Sequence, residues 1–197
     1  MLSLQRSQEV MQTTTLDSPI TQPTSNTHFR MMAFFMKARD MFKPRRNIVE
    51  EAHILRGDRV LDYGCGAGSY IPDVSSRVGK TGKVYALDAH PLSIKRIRSM
   101  TTSQRMANVE TIHSDCKTGL PAESIDIILL YDVFHLLTDS ESVLRELHRI
   151  LKSNGNLSFS DHHLSHNDIV AGVTRSGLFS LCRQDRHTYC FVKSETP

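Results

Sequence analysis

Residues 59–72 read Arg59-Val60-Leu61-Asp62-Tyr63-Gly64-Cys65-Gly66-Ala67-Gly68-Ser69-Tyr70-Ile71-Pro72, and this stretch decides the fold. The apolar run Val60-Leu61 predicts a buried strand ending at Asp62. Glycines then alternate at 64, 66 and 68, and an apolar-periodic segment follows. Strand, glycine turn and helix in that order make a ligand-binding turn. Glycines there permit positive φ and remove the Cβ atoms that would hold a ligand off the backbone. The helix start behind them offers unpaired N–H groups and the positive end of its dipole.

Spacing narrows the ligand. The dinucleotide fingerprint G-x-G-x-x-G requires a glycine at 69, where this chain has Ser69. What stands is Asp62-x-Gly64-x-Gly66-x-Gly68, which resembles motif I of the class I S-adenosylmethionine-dependent methyltransferases. A carboxylate beside the turn suits that cofactor's ammonium and sulfonium, whereas a phosphate cradle would not want one. Three more segments fall where the family places them. Lys83–Asp88 reads as a strand ending in an acid, twenty residues after Gly68, suited to accept from both ribose hydroxyls. Val109–Cys116 reads as a third strand with Asp115 just past its end, where the family accepts the adenine amino group. Ile125–Asp132 is a near-continuous apolar run, as a central parallel strand should be, and the resemblance puts Asp132 beside the place where the methyl group would sit. The resemblance, over about residues 45–193, implies S-adenosylmethionine as cofactor. It implies a contact set of Asp62, Gly64, Cys65, Gly66, Gly68, Asp88, Ala89, Asp115, Cys116 and Tyr131.

Each of these residues has a plainer reading. Asp62 can cap the first helix, Gly64 and Gly66 can serve a tight turn, and Asp88 can cap the helix starting near Pro91. Asp115 can sit in an ordinary loop. Four acids in order at four strand ends favour the ligand reading over the sum of those coincidences.

The same resemblance implies an α/β fold. It is a doubly wound, mostly parallel seven-stranded sheet of order 3-2-1-4-5-7-6, with the last strand antiparallel and helices on both faces. Periodicity places helices near 46–55, 69–78, 91–103, 139–152 and 166–176. Gly155 reads as the stop of the fourth of these, followed by a strand over 156–161. Residues 178–183 and 188–192 read as a terminal hairpin.

Methyl transfer is a displacement that needs an aligned nucleophile and exclusion of water. An acceptor such as a phenol or carbon acid also needs a base. Acceptor-side residues should come from the loops after the fourth and fifth strands, where ligands of open α/β sheets gather. The catalytic candidates there are Asp132, His135 and His162, with Asp161, His163 and His166 alongside. The spacing His162-His163-x-x-His166 is too thin a ligand set to assign a metal.

The 197 residues are 39% hydrophobic and 23% charged, as in a globular protein. A net charge of +3 is too mild to argue for nucleic acid. No apolar run is long enough to span a membrane. Cysteines at 65, 116, 182 and 190 form no C-x-x-C pair, so free thiols in a cytoplasmic setting are expected. Residues 1–28 are rich in Ser, Thr and Gln without a period and read as a disordered or loosely docked tail. Residues 29–43 crowd Phe29, Met31, Met32, Phe34, Phe35, Met36, Met41 and Phe42 ahead of Pro44, so 29–55 reads as a helical cap, either a lid or a brace. The expected partner is a small-molecule acceptor, with a homodimer left open. Two rivals stay open: a non-catalytic S-adenosylmethionine-binding regulatory or scaffold protein, and a nicotinamide-linked oxidoreductase.

Overall fold

The computed structural model describes residues 46–194. The expected tail (1–28) and the Met- and Phe-rich segment before Pro44 lie outside the described residues. Within them the chain runs α1 (Arg46–Glu51), β1 (Arg59–Tyr63), α2 (Ile71–Val78), β2 (Lys83–Asp88), α3 (Pro91–Ser103), β3 (Val109–His113) and β4 (Ile125–Tyr131). A short 3-10 turn (Phe134–Leu136), α4 (Ser140–Ile150), β5 (Leu151–Ser160), α5 (His166–Thr174), β6 (Phe179–Gln184) and β7 (Tyr189–Lys193) complete it.

The sheet order is β3-β2-β1-β4-β5-β7-β6. Strands β1 to β5 are parallel, β7 runs antiparallel to β5, and β6 antiparallel to β7. This is the expected order and the expected antiparallel strand. β1 sits at the centre, with Leu61 opposite Tyr85 on one side and Ile128 on the other. Both faces of such a strand are covered, so side chains alternate between two cores. Leu61, Tyr63, Tyr85, Leu87, Ile128 and Leu130 point into one, packed with Val143, Leu144 and Leu147 of α4 and Ile169 and Val173 of α5. Val60, Val84, Ala86, Ile127, Leu129 and Tyr131 point into the other, with Val49, Ile71, Val74, Val78 and Ile97 from α1, α2 and α3. Each fully buried aliphatic chain contributes about 1.5–3 kcal/mol.

Two boundaries differ from the sequence reading. α1 is shorter than expected, because His53 adopts a left-handed conformation (φ +53°) and ends it. Gly155 is not a helix stop. α4 ends at Ile150 and β5 begins at once, with Leu151 paired to Ile125 and Asn156 to Ile127. The extra residues on β5 bulge outward, and Gly155 lies where a Cβ would be 2.7 Å from the Asp126 carbonyl oxygen and 2.7 Å from Leu151 Cδ1. The glycine is there for close approach rather than for capping.

The start of the described chain is tied to its end. Glu51 of α1 accepts hydrogen bonds from the His187 N–H (2.9 Å) and Thr188 Oγ1 (3.0 Å) in the β6–β7 turn. Arg183 of β6 donates to the Glu51 carbonyl at 3.2 Å. This turn lies at the same edge as the C-terminal tips of β4 and β5, since Tyr189 pairs with Phe159 near the end of β5.

Candidate functional site

The site is built at the C-terminal edge of β1, β2, β4 and β5, on either side of β1 and β4. The glycine turn after β1 is drawn against β2: Gly64 and Cys65 N–H both donate to the Leu87 carbonyl, at 2.9 and 3.0 Å. Gly66 N–H donates to Asp88 Oδ2 at 2.7 Å, and His90 N–H to Asp88 Oδ1 at 2.7 Å. The turn is closed from outside by Ser93 Oγ, which donates to the Gly66 carbonyl, and by Arg96 Nε, which donates to the Ala67 carbonyl at 3.0 Å. Asp88 is therefore a hub that fixes the glycine turn and the start of α3 together. Ala89 links Asp88 to His90, and its carbonyl is met by His113 Nε2 at 3.0 Å.

The three glycines all have positive φ, yet only one faces open space. A Cβ on Gly64 would lie 2.6 Å from Val133 Cγ2, and one on Gly68 would lie 2.9 Å from Met100 Cε. Those two glycines let the turn pack against the protein itself. A Cβ on Gly66 (φ +51°) would meet nothing nearer than the Gly64 carbonyl oxygen at 3.9 Å. Gly66 thus presents bare backbone to the cleft, the cradle that a cofactor lying on this turn requires.

The remaining cofactor candidates divide into side chains near the cleft and side chains committed elsewhere. Asp62 is buried at 2% exposure in β1, between β2 and β4. Asp115 lies on the loop after β3, which is pinned where Tyr63 Oη donates to the Asp115 carbonyl at 2.7 Å. Burial pushes the Tyr63 phenol far up, so it stays a donor. The Cys65 side chain packs inward beside Ser93, and burial, with the Asp62 and Asp88 carboxylates, pushes its thiol well up. Burial likewise raises Cys116, which packs into the α4 side of the core. Tyr131 is also spoken for: its hydroxyl bonds Ser158 Oγ at 2.7 Å and its ring meets Tyr70 edge-on at 5.1 Å. Cys65, Cys116 and Tyr131 thus have only backbone to offer a ligand directly, or shape its walls from behind.

On the acceptor side the structure brings the catalytic candidates together in a way spacing did not show. Asp132, just past β4, has a left-handed conformation (φ +54°) that costs a non-glycine residue free energy and recurs at functional sites. Its carboxylate accepts from His162 Nδ1 at 2.7 Å and from the His162 N–H at 3.3 Å. In the reciprocal sense, Asp161 after β5 accepts from His135 Nδ1 at 2.9 Å and from the His135 N–H at 3.1 Å. Its other oxygen accepts the His163 N–H at 3.1 Å. Each loop thus supplies one carboxylate and one imidazole to the other. The His163 ring lies between the two imidazoles, its centroid 4.1 Å from that of His135 and 3.9 Å from that of His162. His166 stands apart, with Nδ1 3.3 Å from the Tyr189 hydroxyl.

A carboxylate can only accept, so each bonded Nδ1 carries a proton, and in the neutral imidazole the lone pair then lies on Nε2. Asp161, with a fully buried side chain, holds His135 in that tautomer. The sequence places Asp161 beside the acceptor-side candidates without assigning it a catalytic role, and does not single out Tyr70. A strand-end acid after β5 was the available signal for Asp161, whereas nothing local marks Tyr70.

Residues 54–190 match the family model described as a methyltransferase domain. The chain is 32% identical over 124 residues to an aklanonic acid methyltransferase of a Streptomyces species (strain C5), across 61% of this chain and 56% of that protein. It is 26% identical over 131 residues to a demethylmenaquinone methyltransferase of Geobacillus stearothermophilus, across 66% and 56%. The chain spans about half the length of these curated relatives. The crystal structure of an S-adenosylmethionine-dependent methyltransferase from Aquifex aeolicus superposes with a TM-score of 0.68 at 26% identity, across 79% of this chain and 94% of that one. Sheet order, open glycine cradle and these matches agree that the chain belongs to the class I S-adenosylmethionine-dependent methyltransferases.

Proposed function

We propose that this chain transfers a methyl group from S-adenosylmethionine to a small-molecule acceptor. The observation that carries the reading is the bare Gly66 backbone held against Asp88 at the C-terminal edge of the sheet. There Asp62 and the 64–68 turn would hold the aminoacid end, Asp88 the ribose and Asp115 the base. When bound, the cofactor supplies an electrophilic methyl group on a sulfonium. The chain's own work is to align an acceptor against it, keep water out and take up any proton the acceptor loses.

His135 is the base we assign. Asp161 fixes its Nδ1–H, which leaves Nε2 as the acceptor of a proton. Asp132 and His162 form a second such pair at the same cleft edge. The named substrates of the relatives, aklanonic acid and demethylmenaquinone, support a small-molecule acceptor here. Among the described residues no helix is long and apolar enough to cross a membrane. With all four cysteines unpaired, this supports a cytoplasmic setting. The Met- and Phe-rich segment 29–43 would serve as the wall that keeps water from the methyl group.

Calorimetric titration with S-adenosylhomocysteine and with NAD, followed by transfer of labelled methyl across a panel of small phenols, quinols and carboxylic acids, tests the reading. Binding of the first ligand, none of the second and turnover on one acceptor class is expected. NAD binding in preference to S-adenosylhomocysteine would refute it, and binding without turnover on any acceptor would favour a regulatory role.

A further inference from the structure

Two of the four cysteines meet on the hairpin at the sheet edge, away from the glycine turn and the imidazole cluster. In the β6–β7 pairing Leu181 stands opposite Phe191 and Arg183 opposite Cys190, so the register shifts by one residue between them. Cys182 is the inserted residue. A bulge places two successive residues of one strand against a single residue of the other, which brings Cys182 up to Cys190. The Cys182 side chain is near enough to act on the Cys190 thiol and helps to raise it. Both are free, Cys182 is exposed and Cys190 is buried.

We propose that Cys182 and Cys190 are a redox pair that closes reversibly to a disulfide across the β6–β7 bulge. The order of events follows from their surroundings. The thiolate is the reactive form, and burial pushes the Cys190 thiol up, with the nearby Arg183 guanidinium opposing it. Cys182, open to solvent, meets the oxidant first. A hydroperoxide oxidises Cys182 Sγ to the sulfenic acid and is itself reduced to an alcohol, or to water when the oxidant is hydrogen peroxide. Cys190 Sγ then attacks Cys182 Sγ. The S–S bond forms, the S–O bond breaks, and hydroxide leaves with the thiol proton as water. Across both steps the thiols give up two electrons and two protons, all taken by the peroxide. A dithiol reverses the change by exchange.

The place gives the bridge a consequence. Among the described residues β6 has no outer neighbour in the sheet, so its ladder pairing is with β7 alone. Arg183, next to Cys182, is the residue that reaches back to the Glu51 carbonyl and to Asp185. A disulfide there fixes the register of the hairpin that anchors α1 beside the candidate site.

Treatment of the full-length, fully reduced protein with stoichiometric hydrogen peroxide tests the pair, read by intact mass, thiol titration and peptide mapping. Loss of two hydrogens per chain, two titratable thiols instead of four, a mapped 182–190 bridge and full reversal by dithiothreitol are expected. Cys182→Ser should abolish the bridge, whereas Cys65→Ser should leave it intact. A bridge mapped to any other pair overturns the proposal. So does a disulfide-linked dimer, or Cys182 advancing to the sulfinic acid while Cys190 stays reduced.

Discussion

Gly66→Ala separates the cradle from the scaffold most sharply. At φ +51° an alanine costs about 1–2 kcal/mol of backbone strain, and with no atom nearer than 3.9 Å its Cβ adds no clash within the protein. For a domain of this size that corresponds to a fall of roughly 2–8 °C in melting temperature. The new methyl does intrude on a ligand lying against the backbone, an overpacking cost of about 1–3 kcal/mol. Affinity for S-adenosylhomocysteine should therefore fall by roughly 5- to 150-fold. Gly64→Ala makes the contrast. Its Cβ would lie 2.6 Å from Val133 Cγ2, and φ is +75°, so strain and overpacking both fall on the folded state. It should lose about 2–5 kcal/mol of stability, the sum of the two costs. Calorimetric titration and thermal melts on both variants are the assay. A Gly66→Ala protein that melts slightly lower yet binds at wild-type affinity would refute a cofactor on this turn.

Asp88→Ala should weaken S-adenosylhomocysteine binding by about 1.5–3 kcal/mol, the usual loss for hydrogen bonds to a charged group, and should also loosen the turn whose Gly66 N–H it accepts. Proteolysis of the free protein reads that second effect. Asp161→Asn puts an amide where the carboxylate holds His135, and turnover of a proton-losing acceptor should drop about 10²- to 10⁴-fold with cofactor affinity unchanged; equal rates would remove His135 as the base. Deleting residues 1–28 should leave turnover and melting temperature alone, whereas deleting 1–43 should cripple turnover with a smaller loss of stability; a full rate from residues 44–197 would take that segment out of the mechanism. Glu146→Gln should cost about 1.5–3 kcal/mol near neutral pH, and much less in acid. Burial pulls the Glu146 carboxyl up, but hydrogen bonds from Arg149 and Thr118 outweigh it and hold the carboxyl below its ordinary value. A depressed folded value means the stability is present above the unfolded value and lost as pH falls through the folded one. Denaturant melts across that range check the sign.

Strand ends and the glycine turn were legible because parallel strands buried on both faces spell continuous apolar runs, and an acid terminating such a run is a local signal. Ile125–Tyr131 and Lys83–Asp88 show it plainly. What could not be read was set by partners far along the chain. Gly155 after an amphipathic helix looks like a helix stop, and only the approach of the Asp126 carbonyl, 29 residues earlier, reveals its use. Tyr131 ends its strand like a ligand residue, yet its hydroxyl is taken by Ser158, 27 residues on. The crossed pairing of Asp132 with His162 and His135 with Asp161 depends on how two loops face each other, with separations of 30 and 26 residues. Composition at either loop alone showed the residue types but not the exchange.

The clasp between Glu51 and the β6–β7 turn bears on the order in which this chain can mature. Its partners are 132 to 137 residues apart, and the hairpin that supplies them ends the described chain. While the chain is being synthesised, the β1–β4 half has its own parallel ladder to form and Val49 of α1 can pack on α2, but the hydrogen bonds that clasp Glu51 cannot close until Thr188 has been made. Loop closure over such a span is entropically slow, and contacts of high sequence separation lower folding rates. Closure of the Glu51 clasp should therefore be among the last folding events, and a ribosome-bound chain stalled before Thr188 should carry α1 packed through Val49 but not yet clasped at Glu51.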